Sequence, residues 1–291
     1  MFKNLTLARV KGLTSAGDLG VAARDARFMP CGPTQQASVG FVPPRAAHGA
    51  WCESIAGHWI VAVKIQTKTV PPSEIDKWVD AAAGKVEHET GRKPGKKQRR
   101  ELKEQALLEL LPKAFPKDKV VLAWVDSVAG LVALDTAPPA VADQVWSLLA
   151  QVSGASFSLV QTAVAPGAWM RDMLQAGTSM VFDVGREVEM YSPDTGAKVR
   201  FSDHSLAGDD VTDHLQRGKQ VAKLALEWTN GTTADFVLDE ALVLRKVDVA
   251  VPPSGEAEAD AFDANVAIRC GTLRLLLADL ITALCGEVQH G

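Results

Sequence analysis

The chain is poor in features that would tie it to a membrane, an oxidising compartment or a familiar catalytic centre. No stretch reaches the ~18 uninterrupted apolar residues of a membrane-spanning helix. The opening Met1-Phe2-Lys3-Asn4-Leu5 holds no apolar signal-peptide core. The protein is therefore expected to stay in the cytoplasm. Cys31, Cys52, Cys270 and Cys285 lie 21, 218 and 15 residues apart, which fits neither a zinc knuckle nor a compact disulfide framework, so free thiols are expected. GxxxxGK[ST], HExxH, GxSxG and GxGxxG are all missing, and no local motif supports catalysis. The histidines His48, His58, His88, His204, His214 and His290 are scattered. Asp203-His204, Asp209-Asp210 and Asp213-His214 could be read as metal ligands, but acids at a helix start are favoured by the helix dipole, and a solvated loop and helix start is the better reading. The chain is expected to be no enzyme and to need neither cofactor nor metal.

What is present is a globular composition with polarised charge. Of 291 residues, 47% are apolar and 23% charged, so most of the chain should fold, as two compact units or as one body with an arm. The net charge of −4 is unfavourable for a nucleic-acid binder until its distribution is counted. Lys64 to Lys119 holds 14 Lys/Arg against 9 Asp/Glu, whereas Asp203 to the end holds 7 against 15. Positive potential is thus concentrated in one region.

Periodicity predicts an α+β fold of mixed sheets with flanking helices. Leu5 to Val10 alternates as a strand, and Trp59 to Ile65 reads as a second, buried one. Between them, Pro30-Cys31-Gly32-Pro33 and Gly40-Phe41-Val42-Pro43-Pro44 mark a loop region. Ser73 is expected to cap a helix running to about Glu89, with Asp76 in its first turn. Gly91 and Pro94-Gly95 break that helix, and another runs from Lys96 to Leu111. Val120–Trp124 and Leu131–Leu134 suggest a hairpin, followed by a helix from Pro138 to Val152. Later come a helix at Trp169–Gln175, strands at Met180–Tyr191 and Lys198–Phe201, a polar helix at Asp209–Arg217, and strands at Val221–Trp228 and Ala234–Leu244. The final helix carries a stripe of Leu273, Leu276, Leu277, Leu280, Ile281 and Leu284, to be spent on core or on an interface. A short echo between Gly57-His58-Trp59-Ile60-Val61-Ala62-Val63 and Gly218-Lys219-Gln220-Val221-Ala222-Lys223-Leu224 points to a duplicated α+β unit but is too short to define a repeat. Three segments follow: residues 1–73 as the first part of the body, 74–118 as a basic helical arm, and 119–291 as the rest of the body and its base.

The densest chemical signal is Arg92, Lys93, Lys96, Lys97, Arg99, Arg100 and Lys103, opposed within that window by Glu101 alone. On a helix, Lys96, Arg99, Arg100 and Lys103 stand at i, i+3, i+4 and i+7, one face that could follow a phosphate backbone. The competing reading is a solvated charged helix that touches nothing. His88, beside this run, reads as solvated. The tryptophans could stack on bases, but Trp59, Trp124, Trp146 and Trp228 sit in apolar patterns and read as core. Phe115, between Pro112 and Pro116, is either an exposed contact or buried in its own subunit.

Spread along the chain are Phe2-Lys3-Asn4-Leu5, Pro30-Cys31-Gly32, Gly40-Phe41-Val42-Pro43-Pro44, Leu110-Leu111-Pro112-Lys113-Ala114-Phe115, Trp124-Val125-Asp126 with Gly130-Leu131, Lys223-Leu224-Ala225-Leu226-Glu227-Trp228 and Phe262-Asp263-Ala264. In these landmarks the sequence resembles the bacterial recombination-associated RdgC family over nearly its whole length. The resemblance implies a crescent-like subunit that pairs at both ends into a homodimeric ring around duplex DNA. It also implies a nucleoid-associated role in restraining RecA-dependent recombination and aiding replication-fork repair. It would place Phe115 between two arms and the basic hairpin near the lumen, while Leu273, Leu277 and Leu280 are our expectation for the opposite contact. Relatives can be basic where this chain has Asp203 and His204, which removes the expectation of a second DNA contact there. Two other classes stay open: a DNA-processing enzyme with an unfamiliar site, and an interaction scaffold whose basic arm meets an acidic partner.

Overall fold

The computed structural model describes residues 1–45, 48–250 and 258–288. Among these the chain builds an α+β fold on one 12-stranded antiparallel sheet. The first half runs β1 (Leu5–Lys11), α1 (Ala16–Asp25), β2 (Ala37–Val42), β3 (Glu53–Ile55), β4 (His58–Lys68), α2 (Pro72–Thr90), α3 (Lys96–Leu110), a 3-10 turn (Leu111–Lys113), β5 (Pro116–Asp126), β6 (Leu131–Asp135) and α4 (Pro139–Ser153). The second half runs β7 (Ser156–Leu159), α5 (Pro166–Ala176), β8 (Phe182–Tyr191), β9 (Lys198–Phe201), α6 (Asp209–Gln216), β10 (Gln220–Thr229), β11 (Thr233–Asp239), β12 (Leu244–Val249) and α7 (Glu258–Ala283). No described helix is long and apolar enough to cross a membrane.

The main path through the sheet is β2-β4-β5-β6-β1-β12-β11-β10-β8-β9. Read outward from β1, the two halves present the same series: β6, β5, β4, β2 on one side and β12, β11, β10, β8 on the other. A helix precedes β2 and β8 alike, and another follows β6 and β12 alike. The short echo noted above falls at the start of β4 and β10, the strands that correspond.

Alternation within the strands feeds two separate cores. In the first half Val61, Val63, Val121, Ala123, Val132 and Leu134 pack beneath α1 and α4. Leu5, Leu7, Ile60, Trp124, Leu131 and Ala133 point the other way and join the core made with α5, α6 and α7. Helix α7 thereby ties the two halves together.

Several expectations need correcting. The stretch between β1 and β4 is not only loop. Ser15 caps α1 by accepting the Asp18 N–H at 3.0 Å, and Gly40-Phe41-Val42 lies in β2. Helix α2 starts at Pro72 rather than after Ser73, because Pro72 has the fixed φ of a first helical position and no N–H to satisfy. Its first-turn acid is Glu74, not Asp76. The strand expected from Ala234 to Leu244 ends at Asp239, because the Asp239 carboxylate accepts the N–H groups of Ala241 and Val243, both at 3.0 Å, and folds a turn there, and a further strand that was not expected, β12, begins at Leu244. Strand β7 was not foreseen.

Candidate nucleic-acid interface

The basic segment enters the fold as an insert between two paired strands. β4 and β5 stay in register from His58↔Asp126 to Lys68↔Pro116, so the chain leaves and re-enters the sheet side by side. Helix α2 stops at Gly91, whose φ of 67° lies in the left-handed region and whose N–H reaches the Glu87 carbonyl at 2.8 Å. Helix α3 returns against it. The two share a small core of Val79, Ala83, Leu102 and Ala106, lined by Ile75, Trp78, Ala82 and Leu110, separate from the two larger cores. The Trp78 indole N–H donates to Glu109 at 3.1 Å.

All seven cations, Arg92, Lys93, Lys96, Lys97, Arg99, Arg100 and Lys103, are exposed. The first turn of α3 contains no acid and no side-chain cap. Lys96, Lys97 and Arg99 stand there instead, at the helix end whose free N–H groups are already positive. Each such charge is unfavourable by a few tenths to ~1 kcal/mol, the reverse of the usual acidic preference.

The face drawn from helical spacing is divided by its ion pairs. Arg99 meets Asp80 at 3.1 Å and Lys103 meets Asp76 at 3.6 Å, both across to α2, while Arg100 meets Glu104 along its own helix at 3.4 Å. Arg92, Lys93, Lys96 and Lys97 have no ion pair among the described residues. The uncompensated charge therefore collects at the turn between the helices. Lys85, Lys113 and Lys117 are further exposed cations that sequence reasoning missed. They stand alone between residues of other types, so no local run announces them.

The profile described as "Putative exonuclease, RdgC" matches residues 1–287. Three similar proteins are each named Recombination-associated protein RdgC. That of Janthinobacterium sp. (strain Marseille) is 32% identical, covering 99% of both chains. That of Paraburkholderia phymatum is 33% identical, covering 100% of this chain and 98% of the relative. That of Ralstonia nicotianae is 34% identical, covering 90% and 87%. This chain belongs to the RdgC family.

Within this RdgC family member, Phe115 follows the 3-10 turn and is 90% exposed, so its ring is not buried by its own subunit. The expectation for α7 needs correction. Leu273, Leu277 and Leu280 are at most 1% exposed and lie in the chain's own core, where the apolar stripe covers the sheet. Ile268 and Leu275 are the large apolar residues of α7 that face solvent. Asp203 binds Arg186 at 2.8 Å, and His204 lies 3.5 Å from Asp210, so the local acids occupy the basic groups there. Among the described residues, no three His, Cys, Asp or Glu side chains are placed to share a metal ion. All four cysteines are free. Trp124, Trp146 and Trp228 are buried as expected, whereas Trp59 is half-buried. His290 lies outside the described residues.

A buried polar junction fastens α7 to the first half of the sheet. Arg274 donates to both oxygens of Asp126, one bond measuring 2.8 Å, and the Asp126 carboxylate also accepts the Val128 and Ala129 N–H groups at 3.1 and 3.0 Å. The Trp124 indole N–H donates to His58 Nδ1 at 3.1 Å, and Arg274 Nη2 lies 3.4 Å from the same nitrogen. Burial, then the nearby Arg274 charge, hold the His58 pKa below its ordinary value, against the weaker pull of Asp126. The ring is thus kept neutral as an acceptor. This network is structural; it sits away from the basic insert.

Proposed function

We propose that the protein binds duplex DNA through its basic helical arm without reading base sequence, as a homodimeric ring that restrains RecA-dependent recombination and aids replication-fork repair. The observation that carries this reading is the first turn of α3, where Lys96, Lys97 and Arg99 occupy the positive end of a helix. Local stability disfavours that placement, and an anion beside it removes the conflict by meeting both the cations and the free N–H groups. Phosphates supply such an anion at every nucleotide, which accounts for affinity without sequence preference.

Two contacts would close the ring. One is the exposed Phe115, inserted between the two arms. The other draws on the solvent-facing side of α7, with Ile268 and Leu275 in the role first assigned to the leucines now buried behind them. Nothing in this reading requires turnover, cofactor or metal, and it has the protein act by occupying DNA.

Binding to duplex should weaken with potassium chloride at a log–log slope of about −0.9 per phosphate contacted. Replacing Arg92, Lys93, Lys96 and Lys97 together by alanine should flatten that slope by about three units. A slope unchanged in the quadruple variant sinks the assignment to the arm. The same DNA incubated with magnesium or manganese should keep its full length; shortening that tracks the protein through purification would establish the nuclease implied by the family description instead.

A further inference from the structure

The arm carries its own substitutes for phosphate. Asp76 and Asp80 stand at i and i+4 on α2, and Arg99 and Lys103 at i and i+4 on α3, so the helices meet in two rungs, Asp80–Arg99 and Asp76–Lys103. All four side chains are more than half exposed. Exposed pairs of this kind are weak and exchange readily. The hairpin does not need them to cohere, since Val79, Ala83, Leu102 and Ala106 already join its helices.

We propose that Asp76 and Asp80 are positioning residues that hold Arg99 and Lys103 on the α2 side of the arm and compete with DNA for them, setting the affinity below what the cations alone would give. The inference rests on the reading of the arm as a DNA contact. In the free protein the two rungs leave the turn cations, Arg92, Lys93, Lys96 and Lys97, as the first points of encounter. Once phosphates approach, Arg99 and Lys103 can exchange carboxylate for phosphate, at the cost of leaving two carboxylates near a polyanion. Affinity is thereby moderated while the full set of cations is kept. A protein that must release DNA gains from such moderation, because tightness contributed by phosphate contacts depends on how many cations are uncompensated.

The test compares Asp76→Asn/Asp80→Asn with wild type on a duplex of arbitrary sequence, by fluorescence anisotropy across potassium chloride concentrations. The double variant should bind roughly tenfold tighter at low salt with a slope steeper by about one unit, and D76E/D80E should return to wild-type values. A control, D143N/D172N, removes the same net charge from exposed acids on α4 and α5 that form no ion pair among the described residues; it should change affinity much less. Thermal melting of D76N/D80N should stay close to wild type, separating a counter-ion role from a structural one. Affinity in D76N/D80N no greater than in the control overturns the proposal. Wild-type binding indifferent to salt would instead remove the reading of the arm on which it stands.

Discussion

At the scale of the residue, Gly40 shows how a landmark acquires its physical reason only from the fold. β2 is held against the segment that follows α1: the Phe28 N–H donates to the Phe41 carbonyl at 2.8 Å, and the Phe41 N–H to Ala26 at 3.0 Å. A Cβ at Gly40 would stand 2.4 Å from the Phe28 Cα and 2.6 Å from its nitrogen. Those atoms are backbone and cannot rotate aside. Gly40→Ala should therefore destabilise the protein by about 2 kcal/mol, as overpacking does when neighbours cannot give; urea denaturation measures it, and a loss under ~0.5 kcal/mol would mean the two segments separate easily. The glycine was visible in sequence, but its partner Phe28, twelve residues earlier, was not. The same limit applies to Arg99 and Lys103. Their spacing on α3 was legible, whereas Asp80, four residues after Asp76 on α2, drew no notice until its ion pair with Arg99 was seen. The register that joins them depends on the packing of Val79 and Ala83 against Leu102 and Ala106, which no one-dimensional pattern contains.

At the scale of the element, legibility followed punctuation. α2, α3 and α4 were foreseen within a residue or two because Pro71-Pro72, Gly91, Pro94-Gly95 and Pro138 mark their borders with local chemistry. β3 and β7, three and four residues long, lie beside no such marker that was read, and they exist because longer strands offer them partners. Helix α7 was foreseen as apolar but not as the clamp that joins the halves, since its Arg274 and the Asp126 it binds are 148 residues apart. That clamp predicts a pH dependence. The His58 pKa is lowered in the folded state by burial and by Arg274, so the unfolded chain binds its proton more readily. Stability from this group is fully present above the unfolded value of ~6.5 and declines as pH falls from there toward the folded value. The urea midpoint should drop between pH 7.5 and 5.5 in wild type, and the drop should shrink in His58→Asn, which keeps an acceptor for Trp124 but does not titrate. Equal drops in both proteins would assign the effect to other groups.

At the scale of the whole molecule, the duplicated strand order places two helix-backed half-sheets around β1 and gives the chain an extended sheet with an arm inserted in one half only. The second half holds no counterpart of α2 and α3 between β10 and β11, which turn directly from Thr229 to Thr233. In the ring proposed above, the Phe115 contact would pair the single arm of each subunit with its copy and so bring two basic arms together at one end. Single phosphate contacts are weak and reversible, but a closed ring makes release depend on opening an interface or reaching a DNA end. Retention on a covalently closed circle should therefore exceed retention on the same DNA linearised, at a salt concentration where individual contacts turn over quickly. Phe115→Ala should bring the circle down to the linear value while leaving the salt slope nearly intact, because it weakens closure without removing a cation. Pull-down of protein on immobilised circular and linear plasmid, washed at rising salt, reads both quantities. Equal retention in wild type would show that DNA is held from one side, in which case the arm and its counter-ions act alone and Phe115 serves some other contact.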